Sequence, residues 1–538
     1  MHFLISLFYL TSSLILWGHQ VEAFHPKLAL TKQRHRDVSN PSLRQHASAL
    51  YTGATYTKLH STLTDNDDVC TVQILMSDTG GGHRASANAI RDAFDVLYPG
   101  KIQCDIVDIY SDYGPFWPYN AYVPLYKIMA EYSFLWDWFY HFGATQFGLW
   151  LNEFMLELFC FEPFKECMAR PSGNTNRRAD MVVSVHPLCQ DIPLKILSYL
   201  DSDGKTRGPE GRTTPFVTVV TDLGGAHPTW FNPAVNTCFV PTSALYQLAL
   251  DRKLRPGQIV QHGLPIRKGF WGNDGAATAI AAATTSGKSV GVKTAASTDE
   301  SNPLASFVSN LTGRNNNNKG EAKQSTSTIA TSNHNNNDKT SLRSKLGLEC
   351  DAPTVLVVGG GDGMGGIVKI ATCLGKQLSS DAQADNCRYQ MVVVCGKNEA
   401  AKSTLQETTW GKGVNVKIQG FVNNMDEWMR TCDALVTKAG PGTIAEASIC
   451  GLPCMLSSYI PGQEEGNVLF VENAGFGRYS GDPTVISEAV SSWLKSPTML
   501  SSMRDSALKA ARPSATLCIA KDIAQTIFTY KKSKVRSS

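Results

Sequence analysis

Three stretches of this chain share one local grammar: a short apolar run, a glycine-rich turn, and the start of a helical pattern. Val72–Met76 leads into Gly80-Gly81-Gly82 and a helix over Ala85 to Leu97; Thr354–Val358 leads into Gly359–Gly366 and a second helix; Ala434–Thr437 leads into Gly440-Pro441-Gly442 and a third. Glycine at a strand-to-helix turn lets the backbone approach a ligand with no Cβ in the way, and the helix that follows offers unpaired N–H groups that favour negative charge. Further apolar runs at Ile102–Asp108, Asp180–Val185, Phe216–Thr221, Cys238–Val240, Tyr389–Cys395, Val416–Ile418 and Cys454–Leu456 alternate with helical patterns. Alternation of this kind predicts an α/β fold: parallel sheets wrapped by helices, with ligands at the carboxyl ends of the strands.

At 538 residues the chain exceeds one ordinary core, so two α/β lobes with a cleft between them are expected. A hydrophobic content of 42% with 18% charged residues describes a folded protein, and a net charge of +3 does not call for nucleic acid. The 14 cysteines are scattered without a CxxC pair, which points to reduced thiols, and no zinc-ligand spacing occurs. No metal site is therefore expected.

Two segments read as something other than fold. Phe3–Trp17 is an apolar run of signal-peptide length ending at Val21-Glu22-Ala23, and Phe24–Leu63 then carries six Lys/Arg against one acidic residue. A signal peptide followed at once by a basic, Ser/Thr-rich tract resembles the bipartite targeting sequence of algae with secondary plastids. Residues 273–341 are rich in Ala, Ser, Thr and Asn and cannot bury enough apolar surface to fold. The expected order is a signal peptide over 1–23, a transit peptide over 24–64, an N-terminal lobe over 65–272, a disordered insertion over 273–341, and a C-terminal lobe over 342–538, whose last helix can pack back on the first lobe.

Between Tyr110 and Phe164 lie 20 of the chain's 49 aromatic residues, Trp136, Trp138 and Trp150 among them. No segment there is a clean apolar span of about 20 residues. Aromatics suit a membrane interface, where one end of the ring is dry and the other wet; an aromatic core or a homodimer contact is the alternative.

Gly361-x-Gly363-x-x-Gly366 matches the dinucleotide fingerprint in form, but the next strand, Met391–Gly396, ends without the acidic residue that holds a ribose. No Gly-Lys-Ser/Thr follows a glycine loop, which argues against a P-loop NTPase. More specific is Thr437-Lys438-Ala439-Gly440-Pro441-Gly442-Thr443-Ile444-Ala445-Glu446: amides near Gly442 and Thr443 can hold a diphosphate, and Glu446, expected on the first helical turn, can accept ribose hydroxyls or merely cap the helix. Pro461-Gly462-Gln463-Glu464-Glu465-Gly466-Asn467 adds carboxamides and carboxylates suited to sugar hydroxyls.

Together with Ser77–Ala87, Thr221-Asp222-Leu223, His227-Pro228-Thr229-Trp230-Phe231 and Gly263-Leu264-Pro265-Ile266-Arg267, these blocks closely resemble the monogalactosyldiacylglycerol synthase family of galactolipid-forming glycosyltransferases, related to the bacterial enzyme that makes lipid II. The resemblance spans residues 70–525 outside the insertion. It implies a GT-B fold of two Rossmann-like lobes facing a cleft, UDP-galactose as donor, diacylglycerol as acceptor, and inversion at the anomeric carbon. Carried over by position, His83 is the general base or its close helper, and Asp78 either orients it or touches substrate. Gly81, Gly82, Gly361, Gly440, Pro441, Gly442 and Thr443 face the donor's phosphates, Glu446 its ribose, and Gln463, Glu464 and Asn467 its galactose. His186, Trp230 and Arg267 are the expected contacts to acceptor or anionic lipid, with Trp136 and Trp138 anchoring in the membrane. The family reading needs no cofactor or metal, allows activation by anionic lipid, and places the protein on a plastid envelope membrane. The runner-up readings are a UDP-glucose-dependent lipid glycosyltransferase and a silent nucleotide-sugar or lipid-binding protein on the same scaffold.

Overall fold

The computed structural model describes residues 69–79, 81–131, 133–271, 338–359 and 366–537. The targeting segments over 1–64, most of the 273–341 insertion, and Gly361 lie outside them. Asn66–Ser538 forms one compact unit, built on two six-stranded sheets.

In the first lobe β1 (Cys70–Met76) runs into α1 (Gly82–Leu97) and β2 (Ile102–Asp108). After a five-residue helix over Ile109–Tyr113 come α2 (Tyr122–Glu131), α3 (Ser133–Ala144) and α4 (Gln146–Ala169). The lobe continues through β3 (Met181–Ser184), β4 (Phe216–Val219), β5 (Thr237–Val240) and β6 (Ile259–Gln261). The strand order is β2-β1-β3-β4-β5-β6, and every pairing is parallel. All seven residues of β1 are buried, as expected of a strand covered by helices on both faces.

The second lobe comprises β7 (Thr354–Val358), β8 (Tyr389–Val394), β9 (Val414–Gln419), β10 (Ala434–Lys438), α5 (Pro441–Cys450), β11 (Cys454–Ser458), α6 (Glu465–Ala474) and β12 (Gly477–Tyr479) among its elements. Its strands are again all parallel, in the order β12-β11-β10-β7-β8-β9. This is the expected two-lobed Rossmann-like arrangement of the GT-B type.

Two departures matter. Residues 338–345 are helical, so the end of the segment read as disordered belongs to the second lobe; Arg343 and Lys339 tie it to Asp433. The C-terminal helix α7 (Ala515–Ser537) leaves the second lobe and packs on α1, where Tyr98 meets Phe528 edge to face at 5.5 Å. Ile266 donates its N–H to Thr516 Oγ1 (2.8 Å) beside it. A continuous buried cluster therefore runs from β1 and α1 through Leu517, Ile523, Phe270 and Trp271 into β7, β10 and Trp428, joining the lobes through one apolar core.

Candidate active site

The first glycine loop ends at Gly81, whose φ of +78° is a left-handed conformation that glycine adopts without penalty. That turn starts α1 three residues earlier than the sequence pattern suggests, and it places His83 in the first helical turn. The first intrahelical bond is Ala85 N–H to Gly81 O (3.0 Å), so the amides of Gly82, His83 and Arg84 have no partner within the helix. Nothing of the protein lies within 4 Å of where a Cβ would stand at Gly81 or Gly82.

His83 is buried, with Nδ1 2.8 Å from Val185 O and 3.1 Å from Thr221 Oγ1. A carbonyl can only accept, so Nδ1 carries the proton and Nε2 keeps its lone pair. Burial lowers the His83 pKa to about 4, against the opposing pull of the Val185 bond and Asp78, and the ring is neutral at physiological pH. Asp78 does not orient it. Its carboxylate receives Arg84 Nε–H at 2.8 Å, while its own N–H donates to Asp108 Oδ2 (3.0 Å). The orienting groups are Val185 and Thr221.

His83 opens onto a cavity of about 270 Å³ lined by Tyr122, Tyr126, Trp136, Tyr140, Leu151 and Met155 from α2 to α4, by His186, Asp222, His227 and Trp230, and by Gln463 of the other lobe. His186 sits 4.6 Å from His83, ring centroid to centroid, and Trp230 sits at 6.2 Å. Both are buried, so they form the cavity wall and are not surface contacts for a lipid headgroup. Trp136 differs from expectation in the same way: it is buried, with Tyr126 edge to face at 4.8 Å, whereas Trp138 is 54% exposed and stacks on Phe142. The outer face of α3 and α4 carries Phe134, Trp138, Phe147, Trp150, Phe154 and Leu158, all at least half exposed. The aromatic segment thus lines a cavity with one face and presents an apolar ridge with the other.

Asp222 and His227 are wall residues that no local spacing marks as special. Asp222 accepts the Trp230 indole N–H at 2.9 Å, and burial raises its pKa to about 7. His227, also desolvated, is lowered to about 4.

The second lobe presents its own turn. Gly440 is the N-cap of α5, Pro441 occupies the first helical position, and no side chain caps the amides of Gly442 and Thr443. Glu446 lies on the second turn, not the first, and pairs bidentately with Arg267 of the first lobe, Nε donating to Oε1 at 2.6 Å. Arg267 is therefore an interlobe tie in this structure. Burial raises the Glu446 pKa while Arg267 opposes it.

The 461–467 loop is divided in its duties. Gln463 Oε1 accepts from Tyr126 OH (3.2 Å) at the cavity edge. Glu464 is held by Lys438 and by Ile460 N–H, so its carboxylate is already paired. Asn467 is fully buried: its Oδ1 accepts from Leu223 and Gly224 N–H (3.0 and 3.3 Å) and its Nδ2 donates to Ala439 O (3.0 Å). It clips the lobes together and is not presented to a sugar. The backbones meet beside it, since a Cβ at Gly224 would stand 1.7 Å from Gly466 O.

Among the described residues no group of three or more His, Cys, Asp or Glu is placed to hold a metal ion, and no helix is long and apolar enough to cross a membrane. A family model for monogalactosyldiacylglycerol (MGDG) synthase matches residues 83–266, and one for the glycosyltransferase family 28 C-terminal domain matches 354–525. A protein of Oryza sativa subsp. indica named probable monogalactosyldiacylglycerol synthase 2, chloroplastic, is 37% identical over 453 residues, covering 84% of this chain and 80% of the relative. Monogalactosyldiacylglycerol synthase 3, chloroplastic, of Arabidopsis thaliana is 35% identical over 454 residues, covering 84% and 80%. Among solved structures, MurG of Acinetobacter baumannii superposes with a TM-score of 0.42 at 11% identity, over 85% of this chain and 99% of that one.

Proposed function

The chain belongs to the monogalactosyldiacylglycerol synthase family, and we propose that it moves galactose from UDP-galactose to the free hydroxyl of 1,2-diacylglycerol, forming monogalactosyldiacylglycerol with inversion at the anomeric carbon. The observation that carries this reading is His83: a neutral imidazole with Nδ1 fixed by a carbonyl and the lone pair of Nε2 free, at the wall of an apolar cavity that both lobes line.

A glycerol hydroxyl attacks well only as its proton leaves, so a base must sit within hydrogen-bond reach of it. His83 Nε2 is that base, and the aromatic walls around it exclude water and hold the glycerol end of the lipid. On the opposite side the amides of Gly442 and Thr443 hold the diphosphate at the start of α5. Glu446 binds the ribose hydroxyls, with Arg267 holding its carboxylate in place, and Gln463 meets the galactose. Gly81 and Gly82 leave room for the donor to close on the first lobe. Asn467 and Glu464 act by fixing the loops that carry these groups, and Asp78 keeps the same loop in shape through Arg84.

Diacylglycerol is confined to membranes, and the exposed ridge of α3 and α4 gives the protein a way to reach it. Rings such as Trp138 and Trp150 enter the interface, and the cavity on the inner face of the same helices receives the substrate. Chloroplastic relatives favour a plastid membrane as the site of action. The testing experiment offers purified protein vesicles containing diacylglycerol with UDP-galactose or UDP-glucose, with and without EDTA. A β-linked galactolipid formed equally well in EDTA is expected; a glucolipid, an α-linkage or no product would each overturn the reading.

A further inference from the structure

We propose that Lys438 is the cation that receives the leaving diphosphate, with Glu464 holding its ammonium over the turn until the donor arrives. The inference rests on the donor-lobe reading above. Lys438 is the last residue of β10, and its side chain folds back over the turn that follows it. A Cβ built at Gly440 would lie 3.6 Å from Lys438 Cε and 3.8 Å from Nζ. The ammonium therefore stands at the N-cap of α5, beside the uncapped amides. There it donates to Glu464 Oε1 at 2.7 Å, while Glu464 Oε2 accepts the Ile460 N–H at 3.1 Å. One side chain thus links the diphosphate turn to the loop whose Gln463 lines the cavity.

Two other cations, among the described residues, are committed elsewhere: Arg267 is bidentate to Glu446, and Arg84 is held by Asp78. Lys438 is paired too, but with a single carboxylate oxygen that it can keep while it meets a ligand. An ammonium has three donors, so it can keep Glu464 and still reach a phosphate oxygen. A doubly charged diphosphate meets the remaining donors in charge-assisted hydrogen bonds.

The charge has a defined place in the reaction. As the donor's C1–O bond breaks, its electron pair stays on the β-phosphate oxygen. The glycerol oxygen bonds to C1, and its proton passes to His83 Nε2. Negative charge grows on the diphosphate through that step, and an ammonium already fixed at the turn offsets it without reorganising.

The test is calorimetric titration of uridine, UMP and UDP into the wild type, Lys438→Ala, Lys438→Arg and Glu464→Gln, with kcat and KM for UDP-galactose on the same preparations. Lys438→Ala should cut the preference for UDP over uridine by about tenfold or more, leave uridine affinity nearly unchanged, and lower kcat more than it raises KM. Lys438→Arg should restore most of that preference, which separates charge from folding. Glu464→Gln, which frees the ammonium, should keep the preference or strengthen it. Retention of the wild-type UDP-to-uridine ratio in Lys438→Ala would overturn the assignment. So would an equal loss of that ratio in Glu464→Gln, since the pair would then be a brace. A wild type that binds no uridine nucleotide would instead bring down the donor-lobe reading, and Lys438 with it.

Discussion

Replacing Asp222 with Asn should stabilise the protein at neutral and alkaline pH and remove a pH dependence that the wild type carries. The carboxylate is 6% exposed in the cavity wall, and Trp230 gives it one hydrogen bond. Burial, aided by the Glu464 charge and opposed by the Trp230 bond, moves its pKa from 3.8 to about 7. Below the lower value the group is neutral in both folded and unfolded chains. Between the two values the folded protein holds a proton that the unfolded chain gives up, so stability declines as pH rises. Above the upper value the full cost stands, about three pH units at ~1.4 kcal/mol each, or roughly 4 kcal/mol. From pH 5 to pH 8 the decline is about two units, roughly 3 kcal/mol. Asn keeps an oxygen for the indole and carries no charge. Urea unfolding of the protein, followed by tryptophan fluorescence, should show the advantage of Asp222→Asn growing by roughly 3 kcal/mol between pH 5 and pH 8. Other titrating groups cancel in the comparison. Profiles that run parallel to within about 0.5 kcal/mol would refute the claim that a buried, unpaired carboxylate sits in the wall.

Three further outcomes follow from the same geometry. Trp138→Ser should weaken binding to diacylglycerol vesicles while leaving stability almost intact, whereas Trp136→Ser should cost roughly 3–5 kcal/mol of stability, read from urea midpoints. The Cβ of Gly224→Ala would stand 1.7 Å from Gly466 O, so the lobes must shift apart. Transfer should fall about 100-fold with UDP affinity retained, and an unimpaired rate would contradict the close approach. Arg267→Ala leaves the Glu446 carboxylate buried without its partner, so it should destabilise the protein more at pH 8 than at pH 5, as thermal melts at the two values would show.

How far the sequence reaches depends on whether a feature is local. Ten strands were legible from apolar runs between turns, and the interior ones, buried on both faces, read as continuous hydrophobic stretches. The two that were not, β6 and β12, are three-residue edge strands, too short for any period to show. His83 was legible because a glycine turn and the helix after it belong to one segment. The partners of Arg267 and Asn467 were not, because they come from the opposite lobe and residue type alone does not say whom a side chain meets. The same holds for Asp222, whose charge is buried by segments remote in sequence. Trp136 and Trp138 are a different case. Two residues apart on a helix means about 200° around its axis, so one buried and one exposed ring was the outcome helical geometry favours.

The central claim is that His83 takes the acceptor's proton in a cavity shared by both lobes. Its most direct test is galactose transfer by His83→Ala, measured beside UDP affinity on the same preparation. The rate should fall by roughly 100- to 10,000-fold while the UDP dissociation constant stays within about twofold of wild type. Turnover within about tenfold of wild type, with UDP still bound, would contradict the assignment.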